Sequence, residues 1–311
     1  MISIIMPTHN GKTVLPITLE ALCEINFPAG GVEIIIVNNA STDNSSNLVK
    51  TYAQRLPIRL LETETPGRAH ALNLGFEKAT GDFVVMTDDD VIPETGWLDA
   101  YIKAANEQVD ADIFAGQVRH HWQKKPPDWL VQLAECGRSY AGTPVDLPAG
   151  PIEPSAVKGP NLAARRRVME RLKFDETLGY TAGAPQVAGE ETEWAKRAAQ
   201  NGYRLWHVPR ACVKHIVRPH QIGAKPVIIR YLRIGRGSER SAPREVTQNV
   251  STIFGFPRHA IRQIVTRSAR SVALWIRGRR YESMNLAVET AFMAGRAQEW
   301  RYRRRNREGK N

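Results

Sequence analysis

An α/β fold, with a parallel sheet carrying helices on both faces, is what this sequence predicts, and three observations carry the prediction. Short β-branched runs at Ile2–Met6, Val32–Val37, Ile58–Leu61 and Phe83–Met86 have the length and composition of buried strands. Segments with helical spacing lie between them, Leu15, Leu19 and Leu22 being the first. Strand, helix, strand, helix in alternation needs crossover connections, and crossovers join parallel neighbours.

Composition sets the bounds. A chain of 311 residues with 42% hydrophobic and 24% charged residues is globular and long enough for one large α/β domain or a domain with an appendage. Cys23, Cys136 and Cys212 are far apart and lack metal-site spacing, so reduced thiols in a cytosolic compartment are expected. The start enters a strand at once, without a basic leader or cleavage site, and no apolar stretch reaches ~18 residues. The net charge is +11, yet residues 258–311 hold 14 Lys+Arg against 4 Asp+Glu, leaving 29 against 28 for residues 1–257. A near-neutral body with a basic end points to an anionic surface met by one segment, rather than to nucleic acid.

Taken in order, the first strand stops in Pro7-Thr8-His9-Asn10-Gly11, and Thr13 is placed to cap the helix that follows. The second runs into Asn38-Asn39-Ala40-Ser41-Thr42-Asp43, a polar loop able to bond to a base or ribose and, through Thr42 or Asp43, to cap a helix. After the third, Gly67 opens a helix with Arg68 in its first turn, where a guanidinium fork stands beside backbone N–H groups suited to phosphate. The fourth ends in Asp88, Asp89 and Asp90. Carboxylates at a strand's carboxyl end suit Mg²⁺ or Mn²⁺ holding a diphosphate, and a solvated turn is the other reading of the same acids.

Together these segments, Pro7-Thr8-His9-Asn10, Val37 to Asp43, Gly67-Arg68 with Asn73-Leu74-Gly75, Gly81-Asp82 and Asp88 to Pro93, resemble a family 2 glycosyltransferase of the GT-A type. The resemblance implies a Rossmann-like mixed sheet flanked by helices, a nucleotide-sugar donor, inversion at the anomeric carbon and a divalent metal held at an Asp-x-Asp motif. It implies donor contacts from Pro7, Thr8, Asn10, Asn39, Arg68, Asp88 and Asp89, and metal ligation by Asp90 and Asp88. One departure is that Asn38 and Asn39 stand where members usually carry Asp, which leaves the base open.

Beyond Trp97 a helix through Tyr101 and Ala105 leads to a strand near Ile113–Gly116. Residues 119–157, rich in proline, read as an irregular lid or acceptor loop in which Trp122 and Trp129 offer apolar plates to sugar faces, or as core residues. Lys158-Gly159-Pro160-Asn161 resembles the family's Gly-x-Asn segment under the donor sugar and makes Asn161 a donor-binding candidate. Gly189-Glu190-Glu191 opens a helix, where acids are favoured by the macrodipole; similarity to the family's Glu-Asp motif implies that Glu191 is the general base. Two short strands, Arg204–Val208 and Ala211–Lys214, end at His215, which in relatives completes the metal site.

The resemblance covers residues 1–216, so a catalytic domain is expected over 1–218 and a basic amphipathic helical extension over 219–311. In the extension one stripe runs through Ile261, Ile264, Val265, Val272, Trp275 and Ile276, and a second through Met284, Val288, Ala291 and Phe292. It either packs on the catalytic domain or anchors the enzyme on the cytoplasmic face of a membrane. The implied activity is a metal-dependent sugar transferase for a saccharide or lipid-linked acceptor, in polysaccharide or glycan synthesis. A dinucleotide-dependent oxidoreductase is disfavoured because no Gly-x-Gly-x-x-Gly follows the first strand. A nucleotidyltransferase, whose first loop is usually glycine-rich and basic, and a non-catalytic scaffold binding RNA or membrane through the tail are the rivals.

Overall fold

The four expected strands form and pair as the crossover rule requires. In this computed structural model, which describes residues 1–179, 186–242 and 251–308, β1 (Ile2–Thr8), β2 (Val32–Asn39), β3 (Ile58–Thr63) and β4 (Phe83–Thr87) run parallel in the order β3-β2-β1-β4. Side chains alternate between two apolar layers, as a period of two dictates: Ile4 and Met6 enter one, Ile5 the other. Helices α1 (Leu15–Cys23), α2 (Ser45–Tyr52), α3 (Arg68–Lys78) and α4 (Trp97–Glu107) connect the strands. Leu15, Leu19, Leu22, Val49, Trp97 and Tyr101 fill the first layer, while Ala69, Leu72 and Phe76 of α3 fill the second. Each fully buried Leu or Ile there stabilises by ~1.5–3 kcal/mol.

Further along lie β5 (Val91–Pro93), β6 (Ile113–Trp122), α5 (Asp128–Glu135), β7 (Gly150–Pro151), β8 (Asn161–Arg165), α6 (Arg166–Arg171), α7 (Glu190–Gln200) and β9 (Leu205–Val217). They extend the sheet as β4-β8-β6-β9-β5, with β7 on β9 and antiparallel pairing at β4–β8, β6–β8, β5–β9 and β7–β9, so the sheet is mixed. Only three residues join β4 to β5, although three strands separate them in the pairing order. The register explains this: β6 pairs with β8 through Ile113–Ala115 and with β9 along its whole length, and β5 meets β9 only at Val213–His215. A bulge between Gly116 and Gln117 divides the two halves.

Three local expectations are corrected. Thr13 does not cap α1, which begins after Val14 with no side-chain cap. The two short strands after Arg204 are one, because the bulge absorbs Pro209, Arg210 and Ala211 without ending the ladder. Residues 119–157 are not wholly irregular: β6 continues to Trp122, α5 follows, and Trp129 is buried, so it offers no plate to a sugar; Trp122 is half-buried and stacks on His120 with centroids 5.1 Å apart.

Residues cluster into two compact units, one of 1–123, 134–176 and 191–217, the other of 124–133, 177–190 and 218–311. The second contains α8 (Ala224–Arg240), the hairpin β10 (Thr252–Ile253) and β11 (Phe256–Pro257), α9 (Arg258–Ile276) and α10 (Arg280–Glu308). Helix α8 was not legible from spacing, since Pro226, Gly235 and Gly237 weaken its helical signal. Pro226 sits in the first turn, where a missing N–H costs little, and the glycines permit contact: a Cβ on Gly235 would stand 2.0 Å from the Phe292 carbonyl oxygen of α10, and one on Gly295 of α10 would stand 2.1 Å from that of Leu232. Buried Glu239 and Glu299 pair with Arg296 at 2.9 Å and Arg240 at 2.7 Å. Breaking such a pair costs ~3–5 kcal/mol, so these arginines hold α8 and α10 together.

Candidate active site

The carboxyl ends of β1, β2 and β4 share one edge of the sheet, and hydrogen bonds tie their loops to one another. Thr8, buried at the end of β1, donates its hydroxyl to Asp89 Oδ2 at 2.5 Å. Pro7 is buried beside Val37 in the ladder. Asn10 is exposed, and its Oδ1 accepts from the backbone N–H groups of Thr42 at 2.8 Å and Asp43 at 3.2 Å, which joins the first loop to the second. Asp43 accepts from Ser45 N–H at 3.0 Å and so helps start α2; burial pushes its carboxyl up, but the hydrogen bonds from Ser45 and Lys12 outweigh this and hold it below the ordinary value. Asn39 is buried, its Oδ1 receiving the Gly67 N–H at 3.0 Å, while His9 Nδ1 lies 2.6 Å from its carbonyl oxygen. These two asparagines build the loops, and their side-chain oxygens already serve the backbone.

The carboxylate turn is held from three sides. Arg68 donates Nε and Nη2 to Asp88 Oδ1 at 2.9 and 2.7 Å. Gly159 packs against that guanidinium, since an added Cβ would stand 2.8 Å from Nη2. Thr18, buried on α1, was not singled out in the sequence: its hydroxyl donates to the Asp89 carbonyl at 2.8 Å and accepts the Val91 N–H at 3.1 Å. One side chain thereby spans the turn at Asp90. Nothing in the spacing of α1 marks it, because a threonine among leucines reads as core.

At the far end of the turn, the Ile216 N–H donates to the Asp90 carbonyl at 2.8 Å, and Val91 pairs with His215, which brings His215 Nε2 to 3.2 Å from Asp90 Oδ1. Two ligands ~2.1 Å from one ion and at right angles are about 3.0 Å apart, so this pair fits a single small cation, and an oxygen with an imidazole suits Mn²⁺. The His215 Nδ1 is buried without a partner among the described residues, so only Nε2 of the ring meets a polar group there. Among the described residues no group of three or more His, Cys, Asp or Glu side chains is arranged for a metal. Of the three expected ligands two therefore come together; Asp88 is turned to Arg68 instead, because the guanidinium fork claims its carboxylate.

Asn161 is the clearest correction among the donor contacts. It is fully buried on β8, its Oδ1 accepting from Trp97 Nε1 at 2.8 Å and Tyr101 hydroxyl at 2.7 Å, its Nδ2 donating to the carbonyls of Gln117 at 2.9 Å and Ala211 at 2.7 Å. Four bonds are all that an amide side chain can make. Burial holds the Tyr101 hydroxyl well above its ordinary pKa, so it remains a donor. Asn161 thus braces the sheet, and Gly159 is the member of its segment that touches a predicted donor contact. Nearby Cys212, pushed up to about 12 by burial, is no nucleophile.

Glu190 is buried at the first position of α7 and accepts the Gly189 N–H at 3.1 Å, as a helix-start acid does. Glu191 is half-buried, and its carboxylate makes no hydrogen bond or ion pair among the described residues.

The model of Glycosyl transferase family 2 matches residues 3–173, more than half of the chain. The chain belongs to glycosyl transferase family 2. It is accordingly an enzyme of the glycosyltransferase class, and the five segments of the sequence resemblance lie within the matched residues. A probable glycosyltransferase of Bacillus subtilis, YdaM, is 33% identical over 98 residues, 30% of this chain and 23% of its own length. The glycosyltransferase AglE of Haloferax volcanii is 24% identical over 292 residues, 89% of each protein. A mannosyltransferase structure, PcManGT of Pyrobaculum calidifontis in complex with GDP-Man and Mn²⁺, superposes with a TM-score of 0.63 at 20% identity, covering 96% of this chain and 86% of that one. The expected GT-A fold, with its C-terminal helices, is thus the fold of this chain.

Proposed function

We propose that this glycosyltransferase moves a sugar from a nucleoside-diphosphate donor to a saccharide or lipid-linked acceptor, with inversion at the anomeric carbon and with Mn²⁺ or Mg²⁺, in polysaccharide or glycan synthesis. One observation carries the reading: the Asp88–Asp90 turn meets Arg68 at one end and His215 at the other. A divalent ion held by Asp90 and His215 would supply positive charge to the departing diphosphate. Arg68, beside the N-terminus of α3, would bind the same phosphates, with Asp88 fixing its fork and Gly159 leaving room for it. Glu191 would take the proton of the acceptor hydroxyl as its oxygen bonds to the anomeric carbon and the carbon–phosphate-oxygen bond breaks. The lack of a competing partner on Glu191 among the described residues, and the spending of Glu190 on the helix start, support that assignment.

Residues 1–218 would then form the catalytic domain and 219–311 an extension working on the cytoplasmic face of an anionic membrane. A screen of UDP, GDP and their sugars by thermal shift, with and without Mn²⁺, tests the reading. A ligand at 100 times its dissociation constant stabilises by ~2.7 kcal/mol, so at least one nucleotide should raise the melting temperature only when Mn²⁺ is present. No shift with any of them would overturn it.

A further inference from the structure

The apolar stripe of α9 does not all go into the protein. Its packed side carries buried Ala260 and Ser271, and Ser271 exchanges hydrogen bonds with Ser283 of α10 at 2.9 and 2.7 Å. On the other side Val265, Ala269, Val272 and Ile276, at positions i, i+4, i+7 and i+11, are exposed, Val265 by 62%, Val272 by 59% and Ile276 by 78%. Trp275 flanks them at 42%, and Phe254, on the hairpin that leads into α9, is 88% exposed. Large apolar groups gathered on one side of a helix, away from its packed face, mark a surface with a partner.

The charges around this strip indicate which partner. Residues 251–281 contain seven arginines and no Asp or Glu. Arg267 pairs with Glu289 and Arg279 with Glu282, both of α10 or the turn before it, and Arg280 lies over the Trp275 ring at 5.6 Å. Arg258, Arg262, Arg270 and Arg277 are exposed and make no ion pair among the described residues. A second copy of this face would bring the same arginines against them. An RNA would engage the arginines but has no use for an aliphatic strip. Anionic lipid answers both, with acyl chains for the strip and headgroups for its basic flank. No described helix is long and apolar enough to cross a membrane, so the contact is interfacial.

We propose that α9, with the Phe254 hairpin tip, is an amphipathic anchor lying in the headgroup region of an anionic bilayer, its Val265–Ile276 strip toward the acyl chains. This deepens the proposed reading by naming the segment and the lipid chemistry through which the tail meets a membrane. Vesicle binding needs neither donor nor metal, so the two readings fail separately. The test is co-sedimentation of the full chain with vesicles of phosphatidylcholine alone and of phosphatidylcholine with phosphatidylglycerol. Binding is expected only to the second and should weaken with added salt. The exposed double variant Val272→Ser with Ile276→Ser should lower the partition ~10-fold or more, and Arg262→Gln with Arg270→Gln and Arg277→Gln about 100-fold, while the nucleotide thermal shift stays as in the parent chain. Equal binding to both vesicles, unchanged binding by either variant, or a dimer in sedimentation velocity that the serine variant dissociates would each overturn the proposal.

Discussion

Charge is treated in opposite ways at two places in this molecule. In the Asp88–Asp90 turn each acid meets a partner within the chain: Arg68 on Asp88, Thr8 on Asp89, His215 beside Asp90. Along α9 and its C-terminal cap four arginines, Arg258, Arg262, Arg270 and Arg277, stand exposed, and residues 251–281 contain no acid. A matched cluster is pre-organised, so a small ligand finds it already oriented and pays little to order it. An unmatched basic face beside an apolar strip has no internal solution and is suited to an extended anionic surface. Between these extremes, Arg240 and Arg296 show that arginine count alone misleads, because both are used to bind α8 to α10.

Breaking the matched cluster should have the largest effect. Asp90→Ala removes the oxygen donor opposite His215 and should lower transfer by ~10³-fold with an unchanged melting temperature in the absence of ligands, measured by donor turnover and thermal denaturation. Glu191→Gln keeps size but cannot take a proton, and should lower transfer by ~10²-fold while nucleotide binding stays near native. Glu190→Gln is its counterpart and should cost about 1 kcal/mol of stability or less with turnover largely kept. Should Glu190→Gln be the inactive one, the base is Glu190 and the assignment moves by one residue.

A subtler break is at Thr18. Thr18→Val strands a buried carbonyl and a buried N–H, which should cost ~1–3 kcal/mol and raise the donor KM more than it lowers kcat. Thr18→Ser should restore both, whereas a merely volumetric role would leave serine as poor as valine. The smallest effect is expected from acid. His207 is buried with Nδ1 2.9 Å from the Pro148 carbonyl, and burial holds its pKa below the ordinary 6.5 despite that bond. Its neutral form favours the folded state, so this contribution is present above 6.5 and is lost as pH falls from there through the lowered value. Denaturation midpoints measured downward from neutral pH should therefore fall, and His207→Gln should flatten that part of the curve.

How far the sequence reached depended on whether a feature is local. The strands β1 to β4 and the loops at their ends were legible because β-branched runs and polar turns are written in consecutive residues, which puts the acids and Arg68 at strand ends, whereas His215 was reached only through the family resemblance. Asn161 was misplaced because burial and bonding to Trp97, Tyr101 and two distant carbonyls are set by β8 lying between β4 and β6, a pairing that no spacing encodes. Thr18 was invisible for the same reason. In the tail the stripe was seen as one, and only packing divides it into Ile264 and its half-buried neighbours against the exposed Val265, Val272 and Ile276.

The most direct test of the account is an electron paramagnetic resonance titration of Mn²⁺, with and without UDP or GDP, on the parent chain and on His215→Ala. The account predicts that one Mn²⁺ binds, that one of the nucleotides tightens it, and that His215→Ala weakens it by at least ~10-fold. Equal Mn²⁺ affinity in both proteins, or no binding in either, would contradict the assignment of the Asp90–His215 corner as the seat of the metal.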